Sequence, residues 1–389
     1  MTQKKKPIVA IIKASSWKQY ALFKNHPEYK AIFNFIVRHT NLNFVLIGTS
    51  KSSLSGYYVK DNVIAWDIPI PKRIIDYLLI QLHYFLIFLK YRPVIIIPMG
   101  LGNVFPSLVF SFFHPTTKIA PIFIGEFGYH GRKIMGKLFN CALLKFLSLA
   151  LRVPKTNMPN IFAISKFERT CVEKLAPNLK GKIALVSYPI SSLFYVASQK
   201  RNKKCRAQTI LTIAGIEPRK GLDVLVKAVS FITPDTRPRV VIKGQIRDHA
   251  YMQQLSRLVS KLGLAEWIKF DHSVTDYDAL YQYYQAATLF VLPTLDESLG
   301  VVVLEALHSG LPVIATSVGG IPDMIQDGIN GVLIEPGNPQ KLAKAISWLL
   351  KDAPSREALA RNAVSTLKRH YYSNRITMED AFEKIWQNL

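Results

Sequence analysis

The sequence has few cysteines and few acidic residues, and it lacks any long uninterrupted apolar run. Its three cysteines, Cys141, Cys171 and Cys205, are widely spaced, so they form no disulfide framework or metal-ligand pattern and suit a reducing compartment. No glycine-rich dinucleotide motif or phosphate-loop lysine motif follows a predicted strand, which argues against an oxidoreductase or an NTPase. The apolar segments Ile74–Leu89 and Leu138–Val153 are shorter than the ~20 residues needed to cross a bilayer. We therefore expect no membrane-spanning segment.

The positive charge is large and unevenly distributed. The chain has 389 residues, with 50 Lys and Arg against 26 Asp and Glu, a net charge of +24. Residues 1–190 hold 26 of the basic and 7 of the acidic residues, a net of +19, so residues 191–389 hold only +5. A basic protein meets nucleic acid, an anionic membrane or an acidic ligand. Because Arg132, Lys133 and Lys137 precede the amphipathic segment Leu138–Val153, we favour contact with an anionic membrane over a merely solvated basic face.

Short apolar runs alternate with longer amphipathic segments in both halves, which is typical of parallel α/β sheets. The sequence therefore predicts an α/β fold of two doubly wound, Rossmann-like domains that face each other across a cleft. No long apolar stretch precedes the first predicted strand, so we expect a cytoplasmic protein without a signal peptide. The predicted strands are Ile8–Ile12, Asn43–Ile47, Val94–Pro98, Ile119–Ile124, Ile161–Ile164, Ile210–Ala214, Arg239–Lys243, Trp267–Phe270, Thr288–Leu292, Val313–Thr316 and Gly331–Ile334.

Two carboxylates flank a predicted strand-to-helix junction. Glu297 lies in the loop after the strand Thr288–Leu292, and Glu305 lies about one turn into the following helix. Such a pair can accept several hydroxyl hydrogen bonds in one pocket at the carboxyl edge of a sheet. Taken alone, the pair is more typical of a solvated loop acid and a surface helix residue. An anion could bind the backbone amides at the helix N-terminus, those of Ser298, Leu299, Gly300 and Val301.

The surrounding residues resemble the donor-binding half of the retaining glycosyltransferases of family four, which have the GT-B fold. The family motif is a Glu-x7-Glu pair followed by Ala-x-x-x-Gly-x-Pro-Val. The matching residues are Glu297, Glu305, Ala306, Gly310, Pro312 and Val313, with Gly319–Pro322 and Asp327–Gly331 downstream. The resemblance covers Ile210–Leu350. It implies that Glu297 contacts the donor sugar and that Glu305 contacts the nucleotide ribose.

A second motif begins at Gly215, directly after the first strand of the second half. Lys220, at the following helix start, can neutralise a diphosphate as a point charge. The family places an arginine directly after this glycine, but here the position is Ile216. Arg219 is either a replacement phosphate ligand or a solvent-exposed side chain, and both alternatives stay open at this point.

The resemblance also assigns residues after the next two strands. Gly244 is expected to line the donor crevice, and the loop Asp271–Val274 is expected to meet the nucleobase through backbone groups, including those of Val274. Asp276–Asp278 matches the Asp-x-Asp pattern of metal-dependent glycosyltransferases. Because it follows Thr275 at a helix start, we interpret it as a cap and expect no metal or other cofactor.

The first half resembles the family less closely. Relatives often have a histidine after the strand that corresponds to Ile119–Ile124. Here Glu126 stands nearest that position, and His130 follows a few residues later. Either is a candidate catalytic group at the cleft, and a structural role in the loop is an equal alternative.

Together, the resemblance implies a metal-independent hexosyltransferase that uses a UDP- or GDP-sugar and retains the anomeric configuration. We expect a lipid-linked or glycan acceptor and peripheral association with the cytoplasmic face of an anionic membrane. Residues 1–190 would bind acceptor and membrane, residues 191–372 would bind the donor, and the helix in 373–389 would pack back on the first domain. One alternative is a non-catalytic nucleotide-sugar-binding or scaffold protein. A basic nucleic-acid-binding protein is another, but that class does not explain the motif around Glu297, so we expect no nucleic-acid partner.

Overall fold

The computed structural model describes residues 6–13, 26–50, 55–60, 62–69, 74–100, 103–123, 161–194, 208–273 and 277–387. The described residues divide into two compact units. The first contains the chain up to Pro189 together with Arg375 onwards, and the second runs from Ile190 to Asn374. Each unit is built around a largely parallel sheet. The predicted α/β class with parallel sheets in two domains is confirmed.

The first unit contains a six-stranded sheet in the order β3-β4-β2-β1-β5-β6 and a three-stranded sheet in the order β7-β8-β9. Only the pairing of β3 with β4 is antiparallel among these strands. Its elements are β1 (Ile8–Ile12), α1 (Pro27–Arg38), β2 (Asn43–Ser50), β3 (Ser55–Lys60), β4 (Val63–Pro69), α2 (Ile74–Tyr91), β5 (Ile95–Pro98), α3 (Val104–Phe113), β6 (Lys118–Ile119), β7 (Ile122–Phe123), β8 (Ile161–Ala163), α4 (Lys166–Leu175) and β9 (Ile183–Leu185). The central strands β1 (IVAII) and β5 (IIIP), and the segment FVLI of β2, are largely aliphatic, as expected for parallel strands buried on both faces.

The prediction of one strand over Ile119–Ile124 is wrong, because two short strands lie there in two different sheets. β6 joins the six-stranded sheet, where the amide of Ala120 donates to the carbonyl of Ile96 at 3.0 Å. β7 joins the three-stranded sheet. Pro121 lies between them, has no N–H to donate, and offers only its carbonyl, which accepts from Phe162 at 3.0 Å. A proline interrupts a ladder for this reason, so the chain changes sheets here.

The second unit contains one parallel six-stranded sheet in the order β12-β11-β10-β13-β14-β15. The chain first forms the central strand β10 and then adds β11 and β12 towards one edge. It next adds β13, β14 and β15 on the other side of β10. Its elements are β10 (Thr209–Ile213), α5 (Leu222–Ser230), β11 (Arg239–Lys243), α6 (His249–Lys261), β12 (Ile268–Asp271), α7 (Tyr277–Ala286), β13 (Leu289–Leu292), α8 (Val301–His308), β14 (Val313–Thr316), β15 (Val332–Ile334), α9 (Pro339–Lys351) and α10 (Ala353–Thr366), which continues as a π-helix over Leu367–Tyr372.

The last helix, α11 (Met378–Gln387), belongs to the first unit. The helix begins at Met378, after Ile376 has formed a parallel bridge with Val186. Thr377 then caps it, accepting the Asp380 amide hydrogen on its hydroxyl at 3.0 Å. The helix packs against α1 in the core of the first unit.

α2 is buried along one face only, although its apolar sequence favours a buried helix. Tyr84 and Phe88 lie in the core, whereas three leucines on the opposite face, Leu82, Leu86 and Leu89, are exposed. No helix among the described residues is long and apolar enough to cross a bilayer. The basic and apolar segment around Leu138–Val153 lies outside the described residues.

Candidate functional site

The sheet of the second unit reverses its strand order between β10 and β13, which are neighbours. Ligands of doubly wound sheets bind outside the carboxyl ends of the strands at such a switch point. The loops that follow these two strands are joined there by hydrogen bonds. The carbonyl oxygen of Arg219 accepts from the amide of Leu295 at 2.8 Å and from the hydroxyl of Thr294 at 3.0 Å.

Lys220 and Glu297 meet at this switch point. The Lys220 ammonium donates a short hydrogen bond to Oε2 of Glu297, although 77 residues separate the two in sequence. Their side chains are 11% and 13% exposed, so both are largely removed from water but remain reachable. The two residues with the strongest sequence-based assignments are therefore brought together in one charged pair.

Arg219 lies beside this pair. One guanidinium nitrogen lies 2.8 Å from Oε1 of Glu217, and another lies 4.0 Å from Oε1 of Glu297. The guanidinium also donates to the carbonyl of Asp296 at 3.4 Å. With 36% of its side chain exposed, Arg219 is near the site but already has acidic partners. Its role as a phosphate ligand stays a prediction.

Gly319 supports the backbone of Glu297. Gly319 has a φ of +56°, in the left-handed region that favours glycine. A Cβ at this position would overlap the carbonyl oxygen of Glu297, so only a bare backbone fits. The glycine pair that follows β14 thus has a physical role in positioning the loop with the predicted sugar-binding carboxylate.

Glu305 is buried, with 4% of its surface exposed. The hydroxyl of Tyr284, on α7, donates to Oε2 of Glu305 at 2.6 Å. The sequence analysis missed this tyrosine. A buried tyrosine hydroxyl generally needs a hydrogen-bond partner, but the burial of Tyr284 is evident only from the structure. The predicted anion-binding amides precede and begin α8, whose N-cap Gly300 has a φ of +86°. Of the residues that carry these amides, Ser298, Leu299 and Gly300 are buried.

A buried lysine that the sequence analysis missed organises the predicted nucleobase loop. Lys243, the last residue of β11, is 2% exposed, and its ammonium donates to Oδ1 of Asp271 at 3.0 Å and to the carbonyl of Ser273 at 2.8 Å. The Tyr283 hydroxyl donates to the other carboxylate oxygen at 2.7 Å. Hydrogen bonds from the Ser273 hydroxyl, from Tyr283 and from Lys243 hold the pKa of the Asp271 carboxyl well below its usual range. The loop is therefore fixed as far as Ser273.

Gly244 follows β11 directly and packs against the chain after β10, because a Cβ there would overlap the carbonyl oxygen of Ala214. Its own carbonyl oxygen lies 3.2 Å from Nδ1 of His272. Glu126, His130 and Val274 lie outside the described residues, as does Asp276 of the predicted cap.

The first unit contains a polar cluster that sequence reasoning also missed. Lys13, directly after β1, forms an ion pair of 2.9 Å with Glu28, whose other oxygen accepts from the Tyr188 hydroxyl at 2.8 Å. Burial alone would raise the pKa of the Glu28 carboxyl, but the charge and hydrogen bond of Lys13 lower it below its usual value. Burial also lowers the pKa of the neighbouring His26 to about 4. Lys13, Glu28 and Tyr188 thus form a largely buried polar cluster at the end of β1, with the charge of Glu28 balanced by Lys13.

The sequence model of the family described as Glycosyl transferases group 1 matches residues 196–366. The D-inositol 3-phosphate glycosyltransferase of Streptomyces griseus is 34% identical over 146 residues, which are 36% of this chain and 30% of that protein. An uncharacterised glycosyltransferase of Methanocaldococcus jannaschii is 31% identical over 172 residues, covering 44% of this chain and 43% of the relative. These matches span less than half the length of the curated relatives.

Solved structures resemble the chain over nearly its whole length at low sequence identity. Anabaena HepE, solved with UDP-glucose, has a TM-score of 0.71 at 14% identity and covers 98% of this chain and 100% of its own. Sucrose-phosphate synthase from Thermosynechococcus elongatus has a TM-score of 0.71 at 16% identity, with 98% of both chains covered. At these identities the likeness shows the fold alone, and that fold is the predicted GT-B class. The family match lies within the second unit, and residues 196–366 are thus similar to the glycosyl transferases group 1 family.

Proposed function

We propose that this protein moves a hexose from a nucleotide diphosphate sugar to a hydroxyl acceptor, with retention of the anomeric configuration. The observation that carries the proposal is the Lys220–Glu297 pair at the switch point of the second sheet. It joins a cation suited to a diphosphate and a carboxylate suited to sugar hydroxyls in one largely water-excluded place.

In the proposed mechanism, the bond from the anomeric carbon to the diphosphate oxygen breaks, and the leaving diphosphate gains negative charge. The acceptor hydroxyl oxygen forms the new bond to the anomeric carbon, and its proton passes to the leaving diphosphate. Lys220, Arg219 and the amides before α8 would provide fixed hydrogen-bond donors for the oxygens of the leaving diphosphate. Fixed groups of this kind need no reorganisation at the moment of reaction, and the proposal includes no metal. Glu297 would hold the sugar through its hydroxyls, and Glu305 would hold the ribose.

The donor is proposed to be a UDP- or GDP-sugar. HepE, which shares the fold, was solved with UDP-glucose, and that ligand supports a nucleotide sugar as the class to test first. The acceptor has weaker support, because the curated relatives match 36–44% of this chain and the family match is confined to residues 196–366. A lipid-linked or glycan hydroxyl is our proposed acceptor, and it rests on the surface of the first unit.

That surface supports peripheral binding to an anionic membrane at its cytoplasmic face. The exposed leucines of α2 are accompanied by Phe112 and Phe113 at the end of α3, which are 72% and 63% exposed, and α3 packs on α2. Aromatic side chains with this exposure favour the interface of a bilayer, and the +19 net charge of residues 1–190 favours anionic lipid. Pelleting with anionic liposomes tests this part. Phe112→Ser together with Phe113→Ser should reduce pelleting, whereas Phe231→Ser, at an exposed position of the second unit, should not. Equal pelleting of all three proteins would count against the membrane proposal.

A thermal-shift screen with UDP-, GDP- and ADP-sugars tests the donor proposal. A ligand that binds only the folded protein stabilises it by about 2.7 kcal/mol at a hundredfold excess over its Kd, which raises the unfolding midpoint measurably. One nucleotide should raise the midpoint with Glu335→Gln, a variant at an exposed residue, and should raise it less with Glu297→Gln. No shift with any donor would contradict the proposal. The anomeric signal of the product in NMR then tests retention.

A further inference from the structure

We propose that Arg247 is a ligand for the donor diphosphate. Arg247 lies in the loop after β11, and the loops after β10 and β13 form the rest of the site. This inference rests on the proposed function and adds to it a residue that neither the sequence motifs nor the family match assigns. It follows from where the arginine side chain lies, from how its loop is held, and from the charge balance of the site.

The Arg247 side chain lies directly over Gly215, in the loop that follows β10 and carries Lys220. A Cβ at Gly215 would lie 3.0 Å from Cγ and 3.3 Å from Nε of Arg247. The bare backbone at Gly215 therefore leaves the space that the arginine stem occupies. The guanidinium group is carried to the carboxyl end of β10, next to the switch point.

The two loops are held together by their backbones. The amide of Ile216 donates to the carbonyl of Gln245 at 2.9 Å, and the carbonyl of Ile216 accepts from the amides of Arg247 at 3.1 Å and Asp248 at 3.0 Å. Three hydrogen bonds thus fix the base of the Arg247 side chain relative to the lysine loop. A ligand would not have to order this connection on binding, which reduces the entropic cost.

The charged side chains of the proposed diphosphate site carry no net positive charge, so a further cation would strengthen the binding of a diphosphate. Lys220 is paired with Glu297, and Arg219 is paired with Glu217, so these four side chains sum to no net charge. A diphosphate brings at least two negative charges, and its recognition by a neutral set of side chains would be weak. Arg247 is exposed, and among the described residues it forms no ion pair.

The neighbouring carboxylate does not neutralise Arg247 through an ion pair. Asp248 caps α6, where its Oδ1 accepts from the amide of Tyr251 at 2.9 Å. Arg247 is therefore a guanidinium with its donors available, beside a site that lacks surplus positive charge. The fork of donors on a guanidinium matches two phosphate oxygens at once, which makes arginine the side chain best suited to this contact.

The test compares nucleotide binding with and without the diphosphate. Arg247→Gln keeps much of the stem over Gly215 but removes the charge, Arg247→Lys keeps a charge without the fork, and Arg257→Ala removes an exposed arginine further along α6 as the matched control. UDP, GDP and ADP, and the matching nucleosides, are titrated into each protein by calorimetry. For the diphosphate that binds the parent protein, Arg247→Gln should weaken binding about tenfold or more, the range expected for a charge-assisted contact. Arg247→Lys should lose less, and binding of the nucleoside should not change.

The outcomes separate this inference from the proposal beneath it. If a diphosphate binds the parent protein, and binds Arg247→Gln as tightly as Arg257→Ala, the Arg247 assignment is overturned while the donor site stands. An equal loss for nucleoside and diphosphate also overturns it, because the arginine would then act on the fold or the base. If no diphosphate binds the parent protein, both the donor site and the Arg247 assignment fail. Equal unfolding midpoints of the variants without nucleotide are the control for folding.

Discussion

Gly319→Ala tests how the site is built, because the added methyl group meets the backbone of Glu297 and touches no proposed ligand directly. Gly319 and Gly337 both have positive φ values, +56° and +73°. A Cβ on Gly337 would meet nothing within 4 Å, whereas one on Gly319 would overlap the carbonyl oxygen of Glu297. The pair therefore separates backbone strain, which both variants share, from displacement of Glu297, which only one of them causes.

The expected magnitudes follow from these two terms. Left-handed backbone costs a non-glycine residue about 1–2 kcal/mol, so both variants should lose about that much free energy of unfolding. At Gly319 the carbonyl of Glu297 must in addition move by about 1 Å or more, and a misplacement of that size costs about 100-fold in rate. Forcing atoms into a packed place adds about 1–3 kcal/mol of destabilisation.

Urea titration and sugar transfer, measured on both variants, check this reasoning. Gly319→Ala should be less stable than Gly337→Ala and should lose about 100-fold in transfer, while Gly337→Ala keeps nearly full activity below its unfolding transition. Transfer by Gly319→Ala equal to that of Gly337→Ala would refute the claim that Gly319 positions Glu297.

Three further perturbations give measurable results. Tyr284→Phe removes a donor from the buried carboxylate of Glu305 and should cost about 1–3 kcal/mol in free energy of unfolding by urea titration; an unchanged value would mean that the bond contributes nothing. Lys243→Met removes one of the donors to Asp271, so the pKa of that carboxyl should rise towards its ordinary value in an NMR titration and nucleotide binding should weaken. A pKa that stays equally low would contradict the contact. Burial lowers the pKa of His308 from 6.5 to about 4, so the unfolded chain takes up a proton below pH 6.5 that the folded chain does not take up until about pH 4. The free energy of unfolding should therefore fall by about 3 kcal/mol as the pH is lowered from 6.5 to 4, and His308→Asn should lose this pH dependence. The same pH dependence in the variant would contradict the assignment to His308.

Local patterns predict much of the fold of the second unit. β11 and β14 begin and end at the residues expected from the sequence, because apolar runs and the loop residues around them mark their ends. The first unit is predicted less well. The antiparallel β3–β4 pair was missed, since the edge strand β3 (SGYYVK) and its neighbour β4 (VIAWDIP) both lack a continuous aliphatic run such as that of β1.

The site could be predicted in part, since its motif residues stand close together in sequence. Lys220 and Glu297 were each identified from such motifs, but their mutual contact joins loops 77 residues apart and depends on the sheet order. The supporting residues were missed for the same reason. Lys243 is predicted only as the last residue of the strand Arg239–Lys243, and Arg247 is given no role. Their contacts depend on neighbouring loops that the tertiary fold places beside them.

The most direct test of the account is release of nucleoside diphosphate from a nucleotide sugar in the presence of a hydroxyl acceptor, measured for Glu297→Gln and Glu335→Gln side by side. Glu297 pairs with Lys220 at the switch point, whereas Glu335 is 68% exposed and pairs with Lys341 on the surface of the same unit. We predict that Glu335→Gln releases the nucleotide and transfers the sugar like the parent protein, and that Glu297→Gln is inactive while its unfolding midpoint is preserved. Equal release and transfer by the two variants would contradict the central claim that this pair forms the donor site.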